Sequence, residues 1–399
     1  MLPTFPPVVG DIQITSTHFK DTPRRRYDVS VKAAIPLFLL LCVPALADLA
    51  TAQQAYDKGD YASALKEFLP LAKQGNAVAQ YSLGVMYAEG HGLTQDRKEA
   101  VNWYRLAAEQ AYAPAQFNLG NMYREGVIVP QDYKEAMRWL RLAADQGLAN
   151  AQFGLGLLYE NGEGVPQDSK EAFRWLRLGA EQGYADAQFN VGQMFSHGRG
   201  VRQDDGEAMR WYRLAAGQGL AIAQRVIGYI YQKGEGVPQD YKEAMRWYRL
   251  AADQGDLPAQ RGLSAMYRDG EGVPEDYKEA VRWARMAAEK GDADSQVFLG
   301  AAYERGRGVP QDYIEGARWL HLAAEQGAAH GQVLLAMNYE QGQGVPQDYV
   351  LAHMWYNLAG ASGDPEGTKN RDRIARKMTP SQIAEAQRLA REWKPKMSR

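Results

Sequence analysis

The sequence contains almost no cysteine, since Cys42 is the only one among 399 residues. A single cysteine excludes a disulfide framework and a zinc site built from several cysteines. The chain also lacks an excess of charge of one sign, because 46 Lys and Arg oppose 48 Asp and Glu. A nucleic-acid-binding protein usually carries a strong basic excess. We therefore expect no nucleic acid among the partners of this protein.

Sequence motifs of catalysis are absent as well. No H-E-x-x-H, no Walker loop and no G-x-S-x-G occurs in the chain. The six histidines fall at different phases of a 36-residue repeat, so they do not line up into one site. Glycine-rich E-G-x-G-V segments recur, but they follow helical patterns rather than strands, and turn formation explains them. The sequence thus predicts no catalytic residue, no metal site and no cofactor.

Long hydrophobic runs are also missing, apart from one stretch near the N-terminus. This stretch, Ala33 to Val43, is shorter than the roughly 20 residues that a membrane-spanning helix needs. The basic residues Arg24–Arg26 and Lys32 precede it, and the small-x-small sequence Ala45-Leu46-Ala47 follows it. This order is typical of a secretory signal peptide. We predict an N-terminal extension plus signal over residues 1–47, cleavage after Ala47 and a periplasmic or secreted protein, with an uncleaved membrane anchor as the alternative.

What the chain does contain is a repeat. Eight of the nine tryptophans lie 36 residues apart, at Trp103, Trp139, Trp175, Trp211, Trp247, Trp283, Trp319 and Trp355. Glycines keep the same step, at Gly90, Gly126, Gly162, Gly198, Gly234, Gly270, Gly306 and Gly342. Self-similarity at a period of this length indicates a repeat architecture in which neighbouring units stack. Eight uninterrupted repeats of 36 residues therefore cover residues 76–363.

Each repeat predicts two helices, as residues 112–147 illustrate. The first helix presents one face made of Ala115, Gln116, Leu119, Gly120 and Tyr123. Gly126 is placed to end that helix, and Asp132 with Glu135 three residues later forms a capping-box pattern that begins the next. The second helix is predicted to bury Ala136, Trp139, Leu142 and Ala143. Gly120 and Ala136 are small, so we expect neighbouring helices to approach closely there.

The repeat pattern is A-x-x-x-A-Q-x-x-L-G-x-x-Y-x-x-G-x-G-V-P-Q-D-x-x-E-A-x-x-W, and it resembles the Sel1-like repeat, a longer relative of the tetratricopeptide repeat. The resemblance covers about three quarters of the chain. It implies an all-α fold, a right-handed α-solenoid of antiparallel helix pairs. It also implies a scaffold or adaptor role, often in bacterial envelope processes, secretion or signalling.

The segments on either side of the repeats have patterns of their own. Residues 48–75 resemble a shorter tetratricopeptide-like pair and are interpreted as an N-terminal cap. Residues 364–399 predict a C-terminal capping helix that begins at Thr379 and Pro380, with Gln382 completing a capping box. Its apolar face consists of Ile383, Ala386, Leu389, Ala390 and Trp393.

A candidate binding surface follows from the positions that vary between repeats. In related helical repeats, first-helix residues beside the core face line the concave surface. Such a row is aromatic in the first four repeats, then cationic, then aliphatic. Together with one residue of the adjacent row, the candidates are Tyr81, Phe117, Phe153, Phe189, Arg225, Tyr229 and Arg261. Because aromatic residues and Arg commonly anchor interfaces, we hypothesise a groove for an extended peptide or helix, with an anionic contact near the arginines; alternatively, the aromatics belong to the core.

These observations favour a protein–protein interaction scaffold or adaptor of the bacterial cell envelope, monomeric and not an enzyme, that binds a protein or peptide along its concave surface. Three alternatives stay open: a scaffold associated with peptidoglycan or polysaccharide, a periplasmic regulator of a sensor kinase, and a β-lactam-binding or β-lactam-hydrolysing protein. The β-lactam alternative has the weakest support, because the Sel1-repeat proteins linked to β-lactams carry a Cys pair in each repeat, whereas the repeats of this chain carry none.

Overall fold

The computed structural model describes residues 43–396, and the predicted signal segment before Val43 lies outside the described residues. Over residues 43–396 the regular structure consists of twenty α-helices and no strand. The helices are α1 Val43–Asp57, α2 Tyr61–Lys73, α3 Ala77–Glu89, α4 Arg97–Glu109, α5 Ala113–Glu125, α6 Tyr133–Asp145, α7 Ala149–Asn161, α8 Ser169–Glu181, α9 Ala185–His197, α10 Asp205–Gly217, α11 Ala221–Lys233, α12 Tyr241–Asp253, α13 Leu257–Asp269, α14 Tyr277–Glu289, α15 Ala293–Arg305, α16 Tyr313–Glu325, α17 Ala329–Gln341, α18 Tyr349–Ala361, α19 Pro365–Ala375 and α20 Pro380–Glu392. None of these helices is long and apolar enough to cross a membrane.

The helices fall into two compact units, which we describe separately. The N-terminal half ends at Gln218 and holds α1 to α10, and the C-terminal half begins at Gly219 and holds α11 to α20. Within each half, a helix packs chiefly against the helices before and after it in the chain. This pairing of consecutive helices confirms the predicted all-α solenoid of helix pairs.

The turn between the two helices of a repeat is held by backbone hydrogen bonds. The Asp132 carboxylate caps α6 by accepting the N–H of Glu135 at 3.1 Å. The predicted capping box is wrong in its second half, because the Glu135 side chain binds Arg138 at 3.0 Å instead. The reason is that the Asp132 N–H already donates to the carbonyl of Tyr123 in the preceding helix, at 2.9 Å. The turn is therefore tied to the first helix rather than closed on itself.

A second glycine occurs in the turn of seven of the eight repeats, and Ile128 takes its place in the remaining one. Gly164 has a φ of +78°, and a Cβ at this position would lie 2.5 Å from the carbonyl oxygen of Tyr133. Only glycine fits a left-handed conformation this close to another backbone. Gly200 in the same half, and Gly344 in the C-terminal half, lie in the same way against the start of the second helix one repeat earlier.

Helices within a repeat approach closely at a glycine of the first helix, as predicted. A Cβ on Gly120 would lie 2.8 Å from Cγ of Leu140, which is fully buried. The prediction that Leu142 is buried was wrong, since this side chain is 40% exposed. Leu142 lies two residues after Leu140, which turns it by roughly 200° to the opposite face of the helix.

Tryptophans fill the space between the helices of successive repeats, but to different extents. Six of the eight are buried, at Trp139, Trp175, Trp211, Trp283, Trp319 and Trp355. Trp103 and Trp247 are only half-buried. Because burial of apolar area determines the stabilisation, the contribution of a tryptophan differs between repeats.

Buried glutamines form a ladder that links successive repeats. In the N-terminal half, the Gln116 amide donates to the carbonyl of Ala108 at 3.1 Å and accepts from Gln146 at 2.7 Å. The acceptor is a last-turn carbonyl, which has no partner within its own helix. In the C-terminal half, Gln260 makes the first of these bonds, to the carbonyl of Ala252, but its own Oε1 has no donor. In six repeats a glutamine thirty residues later supplies the donor, whereas Gln260 has Lys290 at that position. Gln332, with Ser362 thirty residues later, lacks the donor as well.

The C-terminal segment forms two helices where a single capping helix was predicted. The predicted capping box of α20 is confirmed, with the Thr379 and Gln382 side chains each bonded to the other's backbone. Ala386 of α20 is buried against α18, with Leu389, Ala390 and Trp393 partly buried beside it. The unpredicted helix, α19, contributes the buried side chain of Ile374.

Candidate partner-binding surface

In the N-terminal half, the predicted aromatic row lies on four successive first helices but is largely part of the packed interior. Tyr81 is half-buried and meets Tyr112 edge to face, with ring centroids 5.3 Å apart. Phe117 is half-buried among apolar residues of two core clusters. Phe153 and Phe189 are each only 6% exposed. The burial of Phe153 and Phe189 favours the alternative interpretation, that these aromatics belong to the core, over a role as surface anchors for a partner.

In the C-terminal half, the predicted cationic row is engaged in ion pairs with the following helices. Nε of the buried Arg225 lies 3.1 Å from the Asp256 carboxylate. Nη1 of Arg261 lies 2.7 Å from Asp294. An anionic partner would have to compete with these aspartates, so the arginines do not form the open cationic contact that we hypothesised. The third residue of this set, Tyr229, is half-buried, and burial raises the pKa of its phenol. Whether the row binds a partner stays a prediction.

Buried or half-buried carboxylates occur beside this row, and each has an internal partner. In the N-terminal half, Glu160 accepts from Arg199 at 2.9 Å. In the C-terminal half, Glu304 accepts from the Asn338 amide, and burial raises the pKa of that carboxyl. Hydrogen bonds from Arg373 hold the pKa of the Glu340 carboxyl below its usual value. Removing Arg199 or Arg373 would leave a buried carboxylate uncompensated, and Oε2 of Glu160 has no hydrogen-bond partner among the described residues.

An exposed apolar row on the second helices is the feature that the sequence reasoning missed. In seven of the eight repeats, the side chain three residues after the tryptophan is between 37% and 44% exposed; in the eighth, Leu358 is half-buried. In the N-terminal half these are Leu106, Leu142, Leu178 and Leu214. In the C-terminal half they are Leu250, Met286 and Leu322. The signal was present in the sequence, because a leucine at this phase lies outside the width of a buried helix face. We call these residues the leucine row.

The end of the described chain lies across this surface in the C-terminal half. After α20, residues 393–396 run without regular structure beside the end of α16. The Trp393 indole meets Trp355 edge to face at 6.0 Å. The Lys396 N–H donates to the carbonyl of Glu325 at 2.8 Å, and its ammonium group lies 2.5 Å from the Glu325 carboxylate. We call residues 393–396 the C-terminal tail.

A pocket lies next to the place where the C-terminal tail contacts α16. Its volume is ≈ 410 Å³, and its lining includes Glu289, Arg318, Trp319, Glu325 and Lys396 of the tail. The pocket thus combines an aromatic wall with two carboxylates and two cations. Within residues 43–396 no cluster of His, Cys, Asp and Glu is arranged to hold a metal ion.

Taken together, the fold and this surface define a helical-repeat solenoid with an exposed apolar row. The Sel1 repeat profile matches this chain eight times, at residues 77–112, 113–148, 149–184, 185–220, 221–256, 257–292, 293–327 and 329–364. The chain belongs to the Sel1 repeat family. The repeat boundaries differ by one residue from those expected, and the resemblance to this family is confirmed. Sel1 repeat proteins are generally scaffolds for protein interactions, and their fold is typically non-catalytic.

Two solved structures illustrate the similarity. A Sel1 repeat protein from Oxalobacter formigenes is 34% identical, with 78% of this chain and 90% of that chain covered and a TM-score of 0.59. A protective antigen of uropathogenic Escherichia coli strains, which displays an SLR fold, is 32% identical. There 88% of this chain and 91% of that chain are covered, with a TM-score of 0.45. A comparison with curated proteins gives no match.

Proposed function

We propose that this protein is a protein-binding scaffold of the bacterial cell envelope, whose partner contacts the leucine row. The observation that carries the proposal is the recurrence of one exposed apolar side chain at the same position of consecutive second helices. Apolar side chains scattered singly over a surface need no explanation, whereas their grouping on one face marks an interaction site. The repeat spacing places one such side chain on each of α4, α6, α8 and α10 in the N-terminal half, and on each of α12, α14 and α16 in the C-terminal half.

The burial of the concave candidates supports this choice of surface. An interface gains most of its energy from side chains that are exposed before binding and buried after it. Leu142 still exposes 40% of its surface, whereas Phe153 has already lost nearly all of its own to the core. A partner therefore gains more apolar contact on the leucine row than on the aromatic row.

Photo-crosslinking in the native cell tests the binding surface. A photoreactive amino acid placed at Leu142 or Leu214 is expected to give a discrete crosslinked species, which mass spectrometry then identifies. The matched control is the same amino acid at Val127, a turn residue of the same half that is 71% exposed. Equal crosslinking at Val127 and at the row would refute a specific surface.

The envelope location rests on the predicted signal peptide and has a separate test. Cleavage after Ala47 would remove the first five residues of α1 and leave ten, Asp48 to Asp57. We expect the tagged protein to fractionate with the periplasm and its mature N-terminus to be Asp48. Recovery in the cytoplasm with an intact N-terminal segment would contradict the location while leaving the scaffold role intact.

A further inference from the structure

The C-terminal half contains three copies of one surface site, related by the 36-residue repeat. Each copy consists of an acidic residue at the end of a second helix, a glycine two residues later, and the tryptophan of the next second helix. The copies are Asp253, Gly255 and Trp283; Glu289, Gly291 and Trp319; and Glu325, Gly327 and Trp355. We call them the first, second and third copies. They are equivalent in sequence, but the structure leaves each in a different state.

The third copy is filled by the protein's own C-terminal tail. Its acidic residue, Glu325, receives both the backbone N–H and the ammonium group of Lys396. Its tryptophan, Trp355, meets the indole of Trp393. At Gly327, a Cβ would lie 3.8 Å from Trp393 and 4.0 Å from Pro395, so the glycine leaves room for the tail. The tail thus uses one aromatic ring, one backbone donor and one cation.

The first copy is closed by a lysine. The ammonium group of Lys290 donates to the carbonyl of Gly255 at 3.3 Å. A Cβ on Gly255 would lie 2.6 Å from that nitrogen, so the lysine occupies the space over the glycine. The ammonium group of Lys290 therefore occupies the position over Gly255 that a ligand would need.

The second copy is open, and it coincides with the pocket of ≈ 410 Å³. The residue equivalent to Lys290 is Gln326, which turns inward and donates to Oε1 of Gln296 at 2.8 Å. Glu289 is exposed, and among the described residues it has no ion-pair partner. Because α14 ends at Glu289, its last carbonyls have no donor within the helix. The aromatic wall, the carboxylate and the backbone acceptor that hold the tail in the third copy are all present here. Two cations line the pocket as well, Lys396 of the tail and Arg318, whose guanidinium lies 5.4 Å from the Trp319 ring centroid.

We propose that this pocket binds an extended basic segment of a partner protein, in which an aromatic residue is followed three positions later by a lysine. The spacing is that of Trp393 and Lys396, which fill the equivalent third copy. The aromatic ring packs edge to face against Trp319, as Trp393 does against Trp355, and the lysine pairs with Glu289. The proposal rests on the proposed function as a protein-binding scaffold and specifies the chemistry of the partner. Opposite charges across the contact set the register of the bound segment.

The test uses the full-length protein and a capped, fluorescein-labelled hexapeptide, R-E-W-K-P-K, with the sequence of residues 391–396. Fluorescence anisotropy is expected to show saturable binding of one peptide per chain. Glu289→Lys is expected to weaken binding at least about tenfold, because it replaces the attracting charge by a repelling one. Asp253→Lys, the same change in the closed first copy, serves as the matched control and is expected to leave binding unchanged. Equal effects of the two variants, or none, would overturn the proposal.

A photoreactive group at the tryptophan of the peptide locates the bound segment. Crosslinks close to Leu322 support the proposal, whereas crosslinks close to Leu358 would mean that the peptide displaces the chain's own tail and would overturn it. Sedimentation of the full-length protein tests whether a second copy of the chain fills the pocket instead. Dimers that disappear when residues 393–396 are deleted would show that the occupant is the tail of another copy, and would overturn the proposal of a partner protein. Failure here is distinguishable from failure of the proposed function, since partner crosslinking at Leu142 does not involve this pocket.

Discussion

Replacing Lys290 with glutamine should complete the glutamine ladder and stabilise the protein. Oε1 of Gln260 is buried without a donor, and an unsatisfied buried polar group costs about 1–3 kcal/mol. A glutamine at the equivalent position of the neighbouring rungs donates to the corresponding oxygen, from Gln254 to Gln224 at 2.7 Å and from Gln326 to Gln296 at 2.8 Å. Lys290→Gln places the same amide within reach of Gln260.

The losses caused by this change are smaller than the gain. Lys290 donates to Gly255 at an exposed site, at 3.3 Å, and a lysine after the last turn interacts with the helix dipole for about 0.3–1 kcal/mol. Gln218 of the N-terminal half shows that a glutamine here can serve both acceptors, because it donates to Gly183 and to Gln188, each at 2.8 Å. The expected net stabilisation is about 1 kcal/mol.

Urea unfolding followed by tryptophan fluorescence and circular dichroism measures this difference. The reciprocal variant, Gln326→Lys, should destabilise by a similar amount, because it leaves Oε1 of Gln296 without its donor. Lys242→Gln, at an exposed position of α12, controls for the loss of a surface charge. If Lys290→Gln is no more stable than Lys242→Gln, a bond from residue 290 to Gln260 does not contribute to the free energy of unfolding.

Three further changes have expected outcomes by the same measurement. Trp283→Ala should cost about 3–5 kcal/mol, and Trp247→Ala clearly less because that ring is half-exposed; equal losses would contradict the argument from burial. Gly120→Ala should cost about 1–3 kcal/mol, since the added methyl meets a buried leucine at 2.8 Å. The folded-state pKa of Glu340 is depressed by Arg373, so its stabilisation is present above the unfolded pKa near 4.5 and is lost as pH falls through the lower folded value. The advantage of wild type over Glu340→Gln should therefore shrink between pH 7 and pH 3, and a constant difference would show that ionisation is irrelevant.

The sequence was sufficient to predict the repeats, the helix pairs and the helix ends. Each of these depends on local rules: a glycine that ends a helix, an aspartate that begins one, and a period of 36 that no insertion disturbs. The second half of the capping box failed for a non-local reason. The sequence pattern shows that Glu135 could reach back to the N–H of Asp132, but not that Tyr123 already accepts it.

The surface was harder to predict than the fold, because the width of a buried helix face is decided by its neighbours. Leu140 and Leu142 are the same residue type two positions apart, yet only the first faces a partner helix. For the same reason, the variation along the Phe153 row suggested binding although that ring lies in the core. The tail site could not be predicted, because the three copies share one sequence pattern. Only the tertiary structure shows that Lys290 covers the first copy, that Gln326 turns away from the second and that the C-terminal tail covers the third.

The contact between Gly164 and the backbone of Tyr133 limits how a chain of this kind can change its length. A turn with this glycine packs against the repeat before it, so an insertion of one residue between the two would break this contact. Loss or duplication of a whole 36-residue repeat preserves the contact between a turn glycine and the preceding repeat, because stacked repeats interact only with their neighbours. We therefore expect the length of such a protein to evolve by unequal recombination between the DNA segments that encode the repeats. Related proteins should then differ in length by whole repeats.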